Sequence, residues 1–547
     1  MFRSGEMTDQ FKVSILVVVL ATVSILVPFI FRPFNMDEPL FLWSAFNIIK
    51  HPIDFYGFNL NWYGYEAPLY TTMQNPPFNA YYIALVIRVF GSSEASLHIA
   101  FLVPAIGASL GAYFLAREFC TKPLTAALVS IATPAFLVPA ITIMCDVMML
   151  AFWVWAVFFW VRGIKSNRSL FLFLSAILIF FSTVSKYFGV CLIPLLFLYT
   201  LIQKRRIGRW LFFLVIAASL ILLYEWATYL LYGRGLLFQA SSYASSTRWS
   251  EKEKFPKLLI GLIFTGGGLI SVLFFSPFLW SRRSIVIGFI SFAVVTVILY
   301  FAADTSPHLK YFKHAQQGLL FQLMLFATIG MAIIILVVAD LRRNRDAASV
   351  LLFFWVVGTF IFAAYINWTN NIRSILPIAP AFGILIVRRL DTRKSDIQTI
   401  SLKKFYYSLV AGLSLALLVS WADYTIASAS KEAAVGISVK YAKQGHQIWF
   451  QGHWGFQYYM QRMGGKPLDE HLSGTVPGDF IVIPFNNCFL WPINDDQGTL
   501  VETIQLQPFK WLATMSLEAG FYSNIWGPVP YEFAAVPPET FYILIVK

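Results

Sequence analysis

The stretch Phe78–Phe90, FNAYYIALVIRVF, decides how the rest of this chain is read. It is apolar, follows Pro76-Pro77 and stops at Gly91, so it reads as one helix with defined ends. At 1.5 Å per residue it reaches only about 20 Å, against a hydrocarbon core of about 30 Å. That is too short to cross, and the segment is expected to lie in the interface as an amphipathic helix. Counting it as a span would invert the sidedness of every later loop, so the distribution of charge tests the choice.

The surrounding sequence makes that choice matter. With 58% hydrophobic and 13% charged residues over 547 positions, the chain lies far from soluble composition, where about a quarter of residues are charged. It is a polytopic membrane protein. Apolar segments run at 13–31, 97–117, 124–142, 147–162, 169–185, 187–203, 209–231, 257–280, 284–303, 318–340, 348–366, 372–389 and 405–424, thirteen in all. The polar lead 1–12 carries no evident small-residue cleavage site, so the first segment is expected to stay as an uncleaved helix.

With a cytoplasmic N-terminus and 78–90 left out, the inner links carry Arg117 and Lys122; Arg162, Lys165 and Arg168; QKRRIGR; SRRS; LRRNR; and RRLDTRKS with Lys403 and Lys404. All are basic, as the positive-inside rule requires. The opposite links hold far fewer positive charges. The outer face is therefore expected to carry 32–96, the links at 143–146, 186, 232–256, 304–317 and 367–371, and everything after the last span. The net charge of +13 belongs to these topology signals rather than to one basic face, so nucleic acid is not an expected partner. Cys120, Cys145, Cys191 and Cys488 are scattered, which suits neither a disulfide framework nor a metal site.

After Tyr424 roughly 120 residues of mixed polarity follow. The runs HQIWFQ, DFIVIPF and FYILIV alternate with a helical candidate at Gly455–Met463, which predicts a small α/β domain over 425–547, attached to a membrane domain over 1–424. The long link 233–256 is expected to contain a further interfacial helix.

Candidate chemistry gathers at the outer helix ends. Asp37 and Glu38 stand directly before Pro39, at the start of a predicted helix Pro39–Lys50 lying in the headgroup layer. Helix capping is the competing role for this pair. Asp54, Glu66 and Asp146 are assigned to the same face. Asp146 heads the fourth span, Lys186 occupies the tight turn between the fifth and sixth, and Arg373 opens the twelfth. Ionisable residues at such boundaries are costly unless paired or facing a cavity, which makes them functional candidates. A snorkelling lysine and a capping aspartate are the structural alternatives. Carboxylates with two cations on one face suit a base that deprotonates an acceptor while cations neutralise a departing phosphate. Glu225, Arg234 and the charged run 248–257 are expected to be mostly solvated or interfacial. His51, His98, His308 and His314 lack metal spacing. Gly266-Gly267-Gly268 has no following Lys-Ser/Thr and reads as a packing or flexibility feature rather than a phosphate loop. Trp449, His453, Trp454, Phe456, Tyr458 and Tyr459 form an aromatic cluster, expected to be core rather than a sugar platform.

The ordered set of NMDEP after the first span, QNPPFNAYYIALVIRVFG followed by SSEASLHIAF, an Asp before the fourth span, and VSKY after the fifth resembles the GT-C glycosyltransferases. The protein O-mannosyltransferase and lipid A aminoarabinose transferase group is the most similar, over about the first 210 residues and more loosely up to IRSILPIAP. GHWGFQYYMQRMGGKPLD also resembles the C-terminal portion of bacterial members. The resemblance implies a cell-membrane enzyme that moves a sugar, with inversion, from a polyprenyl-phosphate carrier to an acceptor on the outer face. It implies that Asp37 engages or deprotonates the acceptor, that Glu38 completes the motif, that Asp146 is a second site acid, and that Lys186, with Arg373, lies near the lipid phosphate. It names the polyprenyl-phosphate sugar as donor substrate and no other cofactor; a divalent ion bridging the acids stays open, and no spacing demands one. Where the aminoarabinose transferases have Phe-Glu-Lys-Pro, this chain has Gln74 and Asn75 before the prolines, which argues against lipid A phosphate as acceptor. The mannosyltransferases' luminal trefoil domain has no counterpart either. A non-catalytic transporter of lipid-linked glycans is the alternative, although transporters place ionisable residues near the bilayer midplane. A membrane-anchored glycan-binding protein is a third.

Overall fold

The computed structural model describes residues 4–246, 254–302, 317–393, 402–442, 445–472 and 474–547. The link expected at 304–317, with His308 and His314, falls almost entirely outside the described residues, as do most of the charged run 248–257 and the last two residues of RRLDTRKS.

All thirteen apolar segments are helical where described. They are not all single spans. Eight helices among the described residues are long and apolar enough to cross a membrane, or ten when two bent pairs are counted as one span each. The segment expected at 124–142 is Pro123–Ile131 and Pro134–Ala140, bent by 65°. Thr133 caps the second piece by accepting from the Phe136 N–H, and Pro134 follows at its first position. The segment at 257–280 bends by 84° between Lys257–Gly268 and Ser271–Leu279. Ser169–Ser185 has 17 residues, short for a crossing. The segment at 372–389 divides into Ile372–Ile375 and Ile378–Arg393 around Pro377. Phe78–Phe90 is a separate 13-residue helix, with the length argued above.

The predicted helix Pro39–Lys50 is found as Glu38–Lys50, and the link 233–256 contains the helix Leu236–Ser246. The helix expected to end near Tyr424 does not: Leu402–Ala442 continues without interruption. Polar composition begins at 425, but nothing there breaks a helix.

The C-terminal part is a five-stranded sheet in the order Lys466–Pro467, Ile448–Phe450, Phe480–Pro484, Glu539–Val546, Gly498–Leu506. The first two pairings are parallel and the last two antiparallel. The three predicted strands and the helix, found at Trp454–Arg462, are present. Trp449, His453, Phe456, Tyr458 and Tyr459 are buried and Trp454 is partly buried against them, so the aromatic cluster is core. It packs on the segment that follows the first helix. Tyr458 meets Phe34 and Trp43, and the Phe34 N–H donates to the Tyr459 hydroxyl at 2.9 Å.

Glycine permits the closest helix contacts. A Cβ on Gly266 would lie 1.8 Å from the Phe326 carbonyl oxygen, and one on Gly330 2.1 Å from that of Leu262. Only hydrogen fits on either side of this crossing, which accounts for part of the Gly266–Gly268 run.

Candidate active site

The site begins where the first helix ends. Arg32 is wholly buried and needs compensating charge. Its Nη1 meets Glu38 Oε2 at 2.6 Å and its Nη2 meets Asp423 Oδ2 at 2.9 Å, both partners being buried as well. Glu38 is then fully used: Oε2 also accepts from the Asn35 N–H at 2.6 Å, and Oε1 from the Ile143 N–H at 2.8 Å. Asn79, just after the proline pair, donates through Nδ2 to the Ile143 carbonyl at 2.9 Å. One carboxylate thus ties the NMDEP turn to the link before Asp146, and the QNPPFN segment holds the same link from its other side.

The two adjacent acids part company here. Met36 takes φ +50°, uncommon for a bulky non-glycine residue. After it, Glu38 turns into the core while Asp37 keeps 31% side-chain exposure. Asp37 caps the helix Glu38–Lys50 only by position, because its side chain makes no cap hydrogen bond.

Asp37, Lys186 and Arg373 all line one cavity of about 360 Å³. Arg373 Nη2 lies 2.9 Å from Asp37 Oδ2, and Lys186 Nζ lies 2.5 Å from Asp146 Oδ1. Asp146 is wholly buried behind Lys186, and its Oδ2 has no hydrogen-bond partner. The cavity therefore presents one carboxylate and two cations, with a second carboxylate beneath one of the cations. Gln74 and Asn75 line it too. Asp54 and Glu66 are exposed and do not line it. Among the described residues no group of three or more His, Cys, Asp or Glu side chains could hold a metal ion.

The remaining wall is aromatic and helical. Trp62, Tyr63, Tyr243 and Trp368 line the cavity, and the last two rings meet edge-on at 5.9 Å. Burial, with Tyr243 and Asp37 nearby, pushes the Tyr63 hydroxyl well above its usual range, so it stays protonated. Trp62 is backed by His453, stacked at 4.6 Å, whose Nε2 lies 3.0 Å from Cys488 Sγ. Burial drives the His453 pKa down to about 3 and raises that of the Cys488 thiol, so this is a neutral packing pair and not an activated nucleophile.

Glu225 corrects an expectation. It is buried rather than solvated, and its two oxygens accept from the N–H groups of Leu237 and Phe238 at 2.9 and 3.0 Å. It thereby fixes the start of the helix Leu236–Ser246, which lines the cavity through Leu237, Ala240 and Tyr243. Sequence reasoning also missed Arg32 and Asp423. An aspartate inside an apolar span is a signal in its own right, and SWADYT carries one.

Helix ends thus converge on a cavity that holds paired carboxylates and cations, and comparison with known proteins identifies the fold. The chain has the GT-C fold of membrane glycosyltransferases. The family described as dolichyl-phosphate-mannose-protein mannosyltransferase matches residues 74–229, which include Asp146 and Lys186. Among solved structures, ArnT from Cupriavidus metallidurans bound to undecaprenyl phosphate aligns with a TM-score of 0.50 at 12% identity, over 88% of this chain and 94% of that one. The apo oligosaccharyltransferase of Archaeoglobus fulgidus aligns with a TM-score of 0.48 at 15% identity, over 86% and 69%. No curated protein sequence matches the chain.

Proposed function

We propose that the protein is an inverting glycosyltransferase that takes a sugar from a polyprenyl-phosphate donor and passes it to an acceptor on the outer face of the membrane. The observation that carries this reading is the cavity itself, where Asp37, Lys186 and Arg373, supplied by three separate helix ends, face one space. The fold and the family match support the same class of reaction.

In this reading the donor phosphate enters between Lys186 and Arg373, which neutralise the charge developing on it as the bond to the anomeric carbon breaks. Asp37 accepts the proton of the attacking acceptor from the opposite side. Asp146 holds Lys186, and Glu38 holds the turn that presents Asp37; neither touches substrate. The uncharged aromatic and amide lining suits a sugar ring, and aromatic faces can stack on such rings. The transporter alternative is less well supported, since the charged groups sit at helix ends and are already paired.

The test incubates purified protein with radiolabelled polyprenyl-phosphate hexose or pentose and a membrane extract, comparing wild type with Asp37→Asn. Transfer should fall by about 10²-fold or more in the variant. Equal transfer by both would remove Asp37 as base, and no donor consumption under any condition would remove the enzyme reading. Sidedness is tested separately by Tyr65→Cys in a cysteine-free background, since Tyr65 is 56% exposed in the first outer loop. An impermeant thiol reagent should label it in intact cells; labelling only after permeabilisation would reverse the orientation.

A further inference from the structure

Each glycine of the Gly266–Gly268 run faces a different part of the molecule. A Cβ on Gly266 would meet the Phe326 carbonyl oxygen, one on Gly267 would lie 2.4 Å from Cγ of Pro530, and one on Gly268 would lie 2.9 Å from Cδ1 of Ile372. A neighbouring helix, the C-terminal domain and the segment carrying Arg373 thus meet at one turn of bare backbone. The Tyr531 hydroxyl also donates to the Gly267 carbonyl at 3.0 Å, so the C-terminal domain reaches the bend in the helix pair.

Next to this junction, Phe521–Asn524 grips Thr369–Ile372. The Ile372 N–H donates to the Phe521 carbonyl at 3.1 Å, and the Asn524 N–H donates to the Asn370 carbonyl at 2.9 Å. Asn524 Oδ1 accepts from the Asn370 N–H and from the Thr369 hydroxyl, both at 2.7 Å. The hydroxyls of Thr369 and Ser523 lie 2.8 Å apart. Between these bonds, the buried Tyr522 presents its ring to the Arg373 guanidinium, 5.4 Å from the ring centroid.

We infer that Phe521–Asn524 is a clamp by which the C-terminal domain positions Arg373 in the cavity, making Tyr522 and Asn524 positioning residues. The inference rests on the reading of Arg373 as a donor-phosphate ligand. Arg373 sits on a helix of only four residues, Ile372–Ile375, which cannot hold its own direction. Its Nε has no hydrogen-bond partner. The direction of the guanidinium is therefore set from outside, by Asp37, by Met144 Sδ at 3.0 Å and by the Tyr522 ring. Asp37 lines the same cavity and, in the proposed reaction, is engaged by the acceptor, which leaves Met144 Sδ, a weak acceptor, and Tyr522 with the bonds around it as the fixed support.

Two measurements on purified full-length protein in nanodiscs test this: hydrogen–deuterium exchange over 366–376, and binding of undecaprenyl phosphate. Asn524→Ala should speed exchange there about tenfold and weaken binding about fivefold. Asn524→Asp keeps the Oδ1 acceptor and should bring both within twofold of wild type. Tyr522→Phe should bind as wild type does, whereas Tyr522→Leu should lose as much as Asn524→Ala. In an Arg373→Gln background, Asn524→Ala should cause no further loss, because it acts through Arg373. Wild-type exchange in both Asn524→Ala and Tyr522→Leu, or a full additional loss in the Arg373→Gln background, overturns the clamp. Wild-type binding by Arg373→Gln alone would instead defeat the donor-phosphate reading, and exchange would then decide the clamp by itself.

Discussion

Asp37 and Glu38 are neighbours in sequence with opposite surroundings, and their substitutions should separate stability from turnover. Glu38 is wholly buried and accepts three hydrogen bonds, two at 2.6 Å and one at 2.8 Å, one of them from the buried Arg32. Removing one member of a buried ion pair costs about 3–5 kcal/mol, because the other charge is left without compensation. Asp423 still holds Arg32 at 2.9 Å, which puts Glu38→Ala near the lower end, about 3 kcal/mol. The Asp37–Arg373 pair is partly exposed, with side chains 31% and 16% accessible, and its loss should cost no more than about 1 kcal/mol. Thermal unfolding of purified protein in detergent, read beside donor turnover, checks both. Glu38→Ala should unfold at a distinctly lower temperature, and Asp37→Asn close to wild type with turnover reduced about 10²-fold or more. A Glu38→Ala variant as stable as wild type, or an Asp37→Asn variant as unstable as Glu38→Ala, would refute the division of roles.

Other positions give independent checks. Gly266→Ala places a methyl 1.8 Å from the Phe326 carbonyl oxygen, so the two helices must separate; a loss of about 1–3 kcal/mol is expected from chemical or thermal unfolding. Burial raises the carboxyl of Glu539, at the start of the strand Glu539–Val546, to about 7, against 4.5 ordinarily. Its contribution to stability is full below about 4.5 and is lost as pH rises through 7, so Glu539→Gln should be the more stable protein at pH 8, by on the order of 2–3 kcal/mol. Unfolding curves of wild type and variant that stay parallel from pH 4 to pH 8 would exclude this. Asp146→Asn and Lys186→Met should each weaken binding of undecaprenyl phosphate, and the double variant should be no weaker than Lys186→Met alone, because Asp146 acts only through the lysine it holds at 2.5 Å. Additive losses in that cycle would mean that Asp146 meets the ligand directly.

The helical segments were legible because apolar length is a direct consequence of bilayer thickness. The short helix Phe78–Phe90 was legible for the same reason in reverse. Asp37, Lys186 and Arg373 could be found because a charge at the end of a span needs a partner or a cavity, and each has both. What one residue does relative to its neighbour was not legible. Whether Asp37 or Glu38 turns inward depends on the left-handed turn at Met36 and on Arg32, whose second partner, Asp423, is 391 positions away. Glu225 carries the same lesson, since its burial depends on a helix that begins eleven residues later. The end of the last helix was not legible near 424, because the helix Leu402–Ala442 passes from apolar to polar sequence without changing conformation. Composition reports surroundings, and helices end only where backbone bonding does.

These pairings bear on how such a site can turn over. Two bare cations facing a cavity of about 360 Å³ would be costly to desolvate, so each rests against a carboxylate, Lys186 on Asp146 and Arg373 on Asp37. In the proposed reaction, an arriving phosphate exchanges anion for anion, and the desolvation of the cations is already met. The two exchanges differ in consequence. Asp146 is buried and can only hold Lys186, whereas Asp37 faces the cavity, and the pull of a phosphate on Arg373 frees it to take a proton. Donor binding would thus unmask the base, and once Asp37 has passed the accepted proton on to water, its carboxylate would recapture Arg373 and release the departing lipid phosphate. The order follows from geometry: an acceptor that arrived before the donor would meet a carboxylate still paired with arginine.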